Sequence, residues 1–383
     1  MKSYARNLST IKSENRAMIF QYVRPHPISR ADIARRTGMS KSSVTIITNA
    51  LIEEGQLVEI GAVEHGIGRH PVMLDIVSDY RYAIGLSIDR NFWYVCITDL
   101  KFNLLAYANY KTDSWDDPYA LMDAAYEEIL RLLARRDIPL SLCIGIGISA
   151  PGPIDYKNGT ILNPPNFPLF QNIEIGEFFE KKFGLPTFVN NNTVLLAMLE
   201  NALTPPDKHE NFIYVLAGDG IGSAIMLGDH IHRGSGGLSG ELGHTSIHSG
   251  GVPCPCGNNG CLECYISLKA LRERFNFTSY ERLVDDAYLG DSFARSVIEF
   301  IADEFSCGLI NAVNLLELDA VIIYGAFSYR PDMLRAALED RIRKKSVITR
   351  THDVKVRFAN ITPDLVRASA CAAVLDMHFE QKL

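Results

Sequence analysis

The stretch from residue 241 to residue 263, ELGHTSIHSGGVPCPCGNNGCLE, is the most specific part of this sequence and the part that decides the fold. It places one histidine, His244, ahead of three cysteines at Cys254, Cys256 and Cys261. One imidazole and three thiolates complete a tetrahedral zinc site, and four protein ligands leave no position for water. Two glycines in the loop let the chain fold back around the ion. We therefore predict a structural Zn²⁺ ion held by these four side chains.

Two alternatives remain open for the composition of this site. Cys264 could replace His244 as the fourth ligand, and His248 is a lesser competitor. A metal site is favoured over disulfides because disulfides are rare in cytoplasmic proteins. The other four cysteines lie in apolar surroundings and are expected in the core as small hydrophobic residues: Cys96, Cys143, Cys307 and Cys371.

Composition around this stretch is that of a globular protein of two or three domains. The chain has 383 residues, 47% of them hydrophobic and 22% charged, which excludes wholesale disorder. Without an apolar run of membrane length or a signal sequence, we expect a soluble, cytoplasmic protein with no membrane partner. The net charge of -7 is unevenly distributed. Residues 1–75 carry ten basic and seven acidic side chains, so a small basic segment precedes an acidic body.

The basic segment, residues 1–78, is predicted to be a winged helix-turn-helix domain. Ser29 and Ser40 are suited to cap two short helices, and Gly38 fits the tight turn between them. Two such helices joined by a glycine turn form a helix-turn-helix. The predicted elements are a helix over 11–23, a helix over 30–37, a helix over about 41–54, and strands over 57–60 and 72–76 around a glycine-rich wing.

This domain is predicted to bind a double-stranded DNA operator. The third helix begins with small hydrogen-bonding side chains and one lysine, which suit phosphates and base edges in a major groove. Arg69 at the tip of the wing could enter a minor groove. The modest charge implies a homodimer or homotetramer on a palindromic operator with half-sites spaced by multiples of about 10 bp. The alternative is a helical protein-interaction module. Candidate DNA contacts are Arg30, Ser40, Lys41, Ser42, Ser43, Thr45, Thr48 and Arg69.

After residue 78 the pattern becomes that of a duplicated α/β body. Strands over 82–88, 92–99 and 104–109, a helix over 120–135 and a strand over 141–148 form a first lobe. A second hairpin at 212–227, a long helix over 294–317 and a strand over 320–325 repeat this layout. We expect lobes over 79–195 and 196–362, the second carrying the zinc loop, and a helix over 363–379 that closes the first lobe.

The glutamate, histidine and cysteine pattern of 241–263 resembles the signature of the ROK family of repressors, open reading frames and kinases. The N-terminal Ile11-Lys12-x-x-Asn15-Arg16 and the winged helix-turn-helix resemble its repressor branch. The resemblance covers essentially the whole chain. It implies an actin-like sugar-kinase ATPase fold of two α/β lobes, and a body that binds a sugar or sugar phosphate between them.

The resemblance also implies which residues hold the sugar. Glu241, His244 and Glu263 match positions that bind hydroxyls, and carboxylates do accept bonds from vicinal hydroxyls. His244 would then use one ring nitrogen for zinc and the other for sugar. The further positions implied to approach the sugar are Gly152, Asn166, Asn191 and Asn192.

Several residues depart from the pattern of the family's kinases. Asn192 stands where the kinases carry the aspartate that takes the proton from the sugar hydroxyl, and an amide is unable to do so. The glycines of the first phosphate loop are replaced by Asp89 and Arg90, and the second phosphate loop has Asp219 in place of threonine. A double glycine on the adenosine side is reduced to 325–326, Gly-Ala. Together these changes predict that kinase activity is lost.

We therefore expect a non-enzymatic, sugar-responsive transcriptional regulator of carbohydrate genes, most simply a repressor. One alternative is a hexose kinase or a bifunctional kinase-regulator, which ATP-dependent phosphorylation would reveal. Another is a regulator whose body binds a partner protein instead of a sugar. The identity of the sugar lies beyond the sequence.

Overall fold

The computed structural model describes residues 8–61, 71–164, 167–206 and 210–380. The chain divides into two compact units. The first comprises Met1–His209 and Ile361–Leu383, and the second comprises Glu210–Asn360. No helix in the described ranges is both long enough and apolar enough to cross a membrane.

The first unit opens with the predicted winged helix-turn-helix. Ser29 and Ser40 accept hydrogen bonds from the backbone N–H groups of Asp32 and Ser43, so both predicted caps are confirmed. Gly38 adopts the left-handed conformation, with φ of 72°, between the two helices. The three short strands form one antiparallel sheet in the order β1-β3-β2. The elements are α1 (Leu8–Val23), β1 (Ile28–Ser29), α2 (Arg30–Thr37), α3 (Lys41–Glu53), β2 (Leu57–Ile60) and β3 (Met73–Ile76).

The same unit continues into a five-stranded sheet with helices. Its strand order is β10-β7-β4-β5-β6, and the last three strands form an antiparallel meander while β7 and β10 run parallel to β4. The elements are β4 (Tyr82–Ile88), β5 (Phe92–Asp99), β6 (Leu104–Lys111), α4 (Pro118–Arg135), β7 (Cys143–Ala150), β8 (Ile154–Asp155), β9 (Thr160–Ile161), α5 (Ile175–Phe183), β10 (Thr187–Asn191) and α6 (Asn192–Ala202).

The second unit repeats this sheet topology. Its order is β13-β12-β11-β14-β15, with an antiparallel meander followed by two parallel strands. The duplicated layout predicted from the sequence is therefore present. The elements are β11 (Phe212–Ala217), β12 (Ile221–Leu227), β13 (His230–Ile231), α7 (Glu263–Ile266), α8 (Leu268–Phe275), α9 (Tyr280–Leu289), α10 (Ser292–Leu316), β14 (Ala320–Gly325), α11 (Asp332–Lys345) and β15 (Lys355–Phe358).

The C-terminal segment differs from the single helix predicted over 363–379. It forms α12 (Pro363–Ala368), a 3₁₀ turn at Ser369–Cys371 and α13 (Ala372–Phe379). The turn lies directly on the sheet of the first unit. A Cβ on Gly147 would stand 1.8 Å from the backbone oxygen of Ala370, so only glycine permits this approach. The 3₁₀ turn thus lies where the C-terminal segment meets strand β7.

The winged helix-turn-helix shares its core with the rest of the first unit. Phe20 of α1 packs against Phe379 of α13, with ring centroids 5.4 Å apart. Arg24, which is buried, pairs with Asp376 at 3.5 Å. The boundary expected at 78/79 is therefore spanned by side-chain packing. The boundary expected at 195/196 falls inside α6, and the division between the compact units lies at 209/210.

Candidate functional site

The four predicted zinc ligands lie together in the second unit. The side-chain nitrogen of His244 and the sulfurs of Cys254, Cys256 and Cys261 all lie within 4.8 Å of one another. Nδ1 of His244 is 3.7 Å from Sγ of Cys254, and the Sγ atoms of Cys256 and Cys261 are also 3.7 Å apart. His244 ends a 3₁₀ turn, and Cys261 lies just before α7. The fold thus brings together residues that are seventeen positions apart in sequence.

The loop that carries the cysteines is shaped by its own backbone. Cys254 donates its N–H to the carbonyl oxygen of Asn258 at 2.8 Å, which closes a tight turn around Cys256. Gly260 has φ of 72°, and a Cβ there would lie 1.8 Å from the carbonyl oxygen of His248. The backbone N–H of Asn258 lowers the pKa of Cys256, which favours its thiolate form. This holds for Cys256 alone, because burial and the neighbouring thiols raise the pKa of Cys261 to about 12.

The two alternative ligands occupy other positions. Cys264 lies outside the four-residue group among the described residues, and its sulfur is half-buried next to that group. His248 uses Nε2 to contact Oε2 of Glu304 on α10, at 2.7 Å. The geometry thus favours His244 over both alternatives.

Two carboxylates that the sequence predicts to contact sugar, Glu241 and Glu263, lie beside this cluster. Glu241 precedes the 3₁₀ turn that ends at His244. Partial burial raises the pKa of Glu241. The negative charge of Glu263 raises this pKa further, whereas the neighbouring His244 lowers it. Much of the Glu241 side chain is still exposed, so we expect a carboxylate at neutral pH. Oε2 of Glu263 accepts the backbone N–H of Ile221 at 2.7 Å. Glu263 therefore fixes the glycine loop at 218–222 with one of its oxygens.

The first unit holds the other predicted sugar residues that the structure describes. Asn191 caps α6, and its Oδ1 accepts the N–H of Val194 at 2.8 Å. Its Nδ2 lies 3.8 Å from where a Cβ on Gly152 would stand, so these two positions are adjacent. Asn192 is exposed beside them. Asn166 lies outside the described residues.

The two loops that hold phosphates in the family's kinases are closed by their own side chains here. The carboxylate of Asp89 accepts the N–H of Asn91, and the hydroxyl of Thr112 donates to the carbonyl oxygen of Asp89. In the second unit the exposed Asp219 pairs with Arg272 at 3.2 Å. One carboxylate thus stands in each of these two loops, and the carboxylate of Asp219 is paired with an arginine.

The third helix of the winged domain presents most of the predicted DNA contacts on its surface. Ser40, Lys41, Ser42 and Thr45 are exposed, and Ser43 is half-buried. Ser40 caps the helix, and its hydroxyl also contacts those of Ser42 and Ser43. These hydroxyls cluster at the N-terminus of α3, where backbone N–H groups favour anions such as phosphate.

One of the predicted DNA contacts, Thr48, is contradicted by its burial, a second, Arg30, is engaged within the domain, and a third, Arg69, is not described. Thr48 is fully buried and its hydroxyl accepts a bond from Nε of Arg30, so it has no surface to offer DNA. Arg30 also donates to Asn49 at 2.9 Å and to Glu59 at 2.6 Å. Its guanidinium is therefore committed to connecting α2, α3 and β2. Arg69 lies outside the described residues.

Two outward-facing residues of α3 were missed. Ile46 is 70% exposed, and Asn49 is exposed one turn further along. With Ser42 and Thr45 they occupy positions i, i+3, i+4 and i+7, which form one helix face. The spacing from Ser42 was a signal that could have identified them, since an apolar residue within a polar helix face is unusual.

Comparison with known proteins gives the same assignment for both parts of the chain. The model of the ROK family matches residues 83–363, and the model of the IclR helix-turn-helix domain matches residues 17–61. A xylose repressor of Bacillus spizizenii is 31% identical over 316 residues, which are 82% of each chain. The transcriptional dual regulator NagC of Escherichia coli is 26% identical and covers 89% of this chain and 87% of its own.

Solved structures extend the likeness to the fold. A ROK family transcriptional regulator described as a homologue of the E. coli MLC protein superposes with a TM-score of 0.78 at 24% identity, covering 97% of this chain and 98% of its own. A ROK hexokinase from Thermus thermophilus superposes with a TM-score of 0.65 at 26% identity, covering 76% of this chain and 97% of its own. The chain therefore belongs to the ROK family and carries a helix-turn-helix domain ahead of the ROK region.

Proposed function

We propose that this protein is a DNA-binding repressor of carbohydrate genes whose affinity for its operator is set by a sugar or sugar phosphate. The observation that carries the proposal is the exposed, donor-rich face of α3 in a winged domain, joined in one chain to a ROK body. Relatives with this arrangement are named xylose repressor and N-acetylglucosamine repressor, which supports regulation by a sugar.

DNA would be held mainly at the N-terminus of α3. Ser40, Ser42 and Ser43 offer hydroxyls to phosphate oxygens, and Lys41 adds the positive charge that attracts the backbone. Thr45 follows on the face that would enter the major groove. Arg69 on the wing remains a predicted contact. Because one domain presents few basic side chains to DNA, two copies would be needed for tight binding. We therefore propose a homodimer or homotetramer on a palindromic operator.

The cluster of His244, Cys254, Cys256 and Cys261 would hold Zn²⁺. With Zn–S bonds near 2.3 Å, tetrahedral geometry requires sulfur atoms about 3.8 Å apart. The separation of 3.7 Å between Cys256 and Cys261 fits this requirement. A zinc ion with four protein ligands supplies structure and no reactive water. Binding of the ion by these four side chains would hold the turn that carries Glu241 and His244 in one conformation.

Sugar hydroxyls would be bound next to that turn in the second unit. His244 directs Nδ1 toward the cysteines, which leaves Nε2 for a hydroxyl. Glu241 accepts from a hydroxyl, and Glu263 has one oxygen beyond the one that holds Ile221. In the first unit the proposed sugar contacts are Gly152, Asn166, Asn191 and Asn192.

We further propose that phosphoryl transfer is lost. Asn192 is an amide where the kinase reaction needs a base, and an amide takes up no proton at neutral pH. Asp89 and Asp219 would repel the phosphates of ATP in both loops. The purified protein, incubated with ATP, Mg²⁺ and a hexose, should form no ADP. Measurable hexose-dependent formation of ADP would restore the kinase alternative.

The test of the main proposal combines DNA selection with a ligand screen. The full chain is used to select duplexes from a random library, and the selected duplex is then titrated with protein. We expect a two-fold symmetric site. A thermal-shift screen of monosaccharides and their phosphates should identify a ligand that raises Tm and changes operator affinity, because a ligand that binds only the native state stabilises it. Failure to select any duplex would refute DNA binding. A selected duplex whose affinity no sugar changes would refute only the effector.

A further inference from the structure

Strand β6 forms one edge of the five-stranded sheet in the first unit. It pairs with β5 on one side, and no strand follows on its other side within the described ranges. At eight residues β6 is longer than the edge strands β10, β13 and β15, which have five, two and four. Its sequence, LLAYANYK, contains no proline, and its one charged residue is Lys111 at the end. A long edge that lacks proline and a central charge is prone to pair with another chain.

The backbone groups that β6 leaves unpaired can be assigned from its pairing with β5. The N–H of Thr112, the residue after the strand, donates to the carbonyl oxygen of Asn91 at 2.9 Å. Bonded and non-bonded residues alternate along an antiparallel pair, so every second residue of β6 continues this ladder. The residues between them, Tyr107, Asn109 and Lys111, direct their N–H and C=O groups away from β5. Their side chains are exposed. The edge therefore offers alternating donors and acceptors to a further strand.

The two ends of this edge carry opposite charges. An open groove at the N-terminal end is lined by Leu105 of β6 and by Arg135 and Arg136 at the end of α4. Both arginines are exposed, and neither forms an ion pair with a described residue. The C-terminal end of β6 is followed by exposed aspartates that also lack an ion pair in the described part of the chain: Asp113, Asp116 and Asp117. The edge thus has a basic end and an acidic end.

This distribution of charge matches a second copy of the same chain. A two-fold axis at Asn109 would pair β6 antiparallel with itself and set the basic end of each copy beside the acidic end of the other. Tyr107 of one copy would then lie opposite Lys111 of the other, a pair that permits cation–π contact. An acidic peptide would match the arginines alone, and a basic peptide would match the aspartates alone. The symmetric pair matches both ends at once.

We propose that two copies of this chain associate through antiparallel pairing of their β6 strands, which joins their sheets into one. The inference names a surface for the homodimer or homotetramer proposed above and rests on that proposal. Pairing gives the outward N–H and C=O groups of β6 the partners that the single chain does not supply. It also removes an exposed strand edge from the assembled protein.

A proline substitution tests the backbone pairing. Sedimentation velocity of the full chain measures the mass of the assembly over a range of concentrations. Asn109→Pro should raise the dissociation constant at least about thirtyfold, because it removes an outward N–H from each copy and leaves the bonds to β5 in place. The control is Asn109→Thr, which keeps the N–H and favours a strand, so its association should match that of wild type.

Charge reversal tests the same surface without changing the backbone of the strand. Asp113→Lys combined with Asp116→Lys should weaken association about tenfold, because both ends of the edge are then basic. Arg135→Glu combined with Arg136→Glu should weaken it to a similar extent. A chain with all four changes should recover association to within about threefold of wild type, since the ends are again opposite in charge. The control is Asp353→Lys, an exposed reversal in the second unit that should have no effect.

The outcomes separate this interface from the proposals on which it rests. A monomeric wild-type chain would refute the homodimer and the β6 interface together. A wild-type assembly that Asn109→Pro and both charge reversals leave intact would overturn the β6 interface alone. Charge reversals that weaken association without recovery in the chain with all four changes would also overturn it. If Asn109→Pro fails to fold, the charge variants decide. Operator selection is a separate measurement, so a failure to bind DNA would leave the result for β6 unchanged.

Discussion

Arg30 connects three elements of the winged domain through three side-chain hydrogen bonds. Its guanidinium reaches Thr48 and Asn49 on α3 and Glu59 on β2. We expect Arg30→Ala to lower the free energy of unfolding by about 1–3 kcal/mol, because Thr48 then keeps a buried hydroxyl without this partner. Urea denaturation measures the change. The control is Arg35→Ala, whose exposed pair with Asp32 should be worth less than about 1 kcal/mol. Equal losses in the two variants would contradict the assigned role.

Ile46 is an apolar side chain at the centre of a polar helix face, and DNA offers it a matching surface. The C5-methyl of thymine is the apolar group of the major groove. Replacing the contacted thymine of a selected operator by uracil deletes one methyl group and should weaken binding about fourfold. The Ile46→Ala variant should be insensitive to the same replacement. Wild-type affinity that is unchanged by uracil at every thymine of the operator would exclude this contact.

The fourth zinc ligand can be identified by a matched pair of cysteine variants. Cys256 belongs to the four-residue cluster, whereas Cys264 lies just outside it. After dialysis, wild type and Cys264→Ser should each retain about one zinc per chain, and Cys256→Ser and His244→Ala should lose it. Atomic absorption gives the stoichiometry. Zinc retained by His244→Ala but lost from Cys264→Ser would reverse the assignment.

At the scale of elements, we expect helix α13 to make the first unit sensitive to acid. Burial, with Arg81 adding repulsion, lowers the pKa of His378 to about 4. Its pKa in the unfolded chain is about 6.5. The folded state therefore binds fewer protons between these values, and stability is lost as pH falls through that window. We expect the free energy of unfolding to drop by about 2 kcal/mol from this residue between pH 7 and pH 5.

A variant separates this contribution from those of other groups. His378→Gln removes the titrating group, so its unfolding free energy should fall less than that of wild type over the same pH interval. Urea denaturation at both pH values measures the two differences. Identical pH dependence in wild type and variant would show that His378 titrates as it does in the unfolded chain.

Elements with local signals were well predicted, and elements shaped by distant neighbours were not. Helices α2 and α3 carry their caps in their own sequence, so Ser29 and Ser40 identified their starts. The break between α12 and α13 lies against Gly147, which is more than two hundred residues earlier in the chain. The segment itself is rich in alanine, so its sequence favoured one continuous helix.

At the scale of the whole molecule, one substitution in the body of the proposed repressor should weaken its response to sugar and leave its affinity for operator DNA unchanged. Glu241→Ala removes a hydroxyl acceptor of the body and leaves the winged domain untouched. We expect operator affinity close to that of wild type and at least about tenfold weaker response to the effector found in the screen. Fluorescence anisotropy of labelled operator measures both. The control is Glu339→Gln, an exposed change on α11. A normal sugar response in Glu241→Ala would exclude this residue from the site.

The sequence by itself determined the order of elements, the duplicated sheets and the grouping of one histidine with the cysteines of a single loop. These features rest on spacing, capping and turn residues, which act between neighbours along the chain. Only the tertiary structure decided that Thr48 is buried, that Arg30 is bound within the domain, that Ile46 faces outward and that Glu263 holds the glycine loop. Each depends on side chains from separate elements meeting in space. The exposure of a side chain and its hydrogen-bond partners are set by the packing of these elements, which the sequence pattern describes only in part.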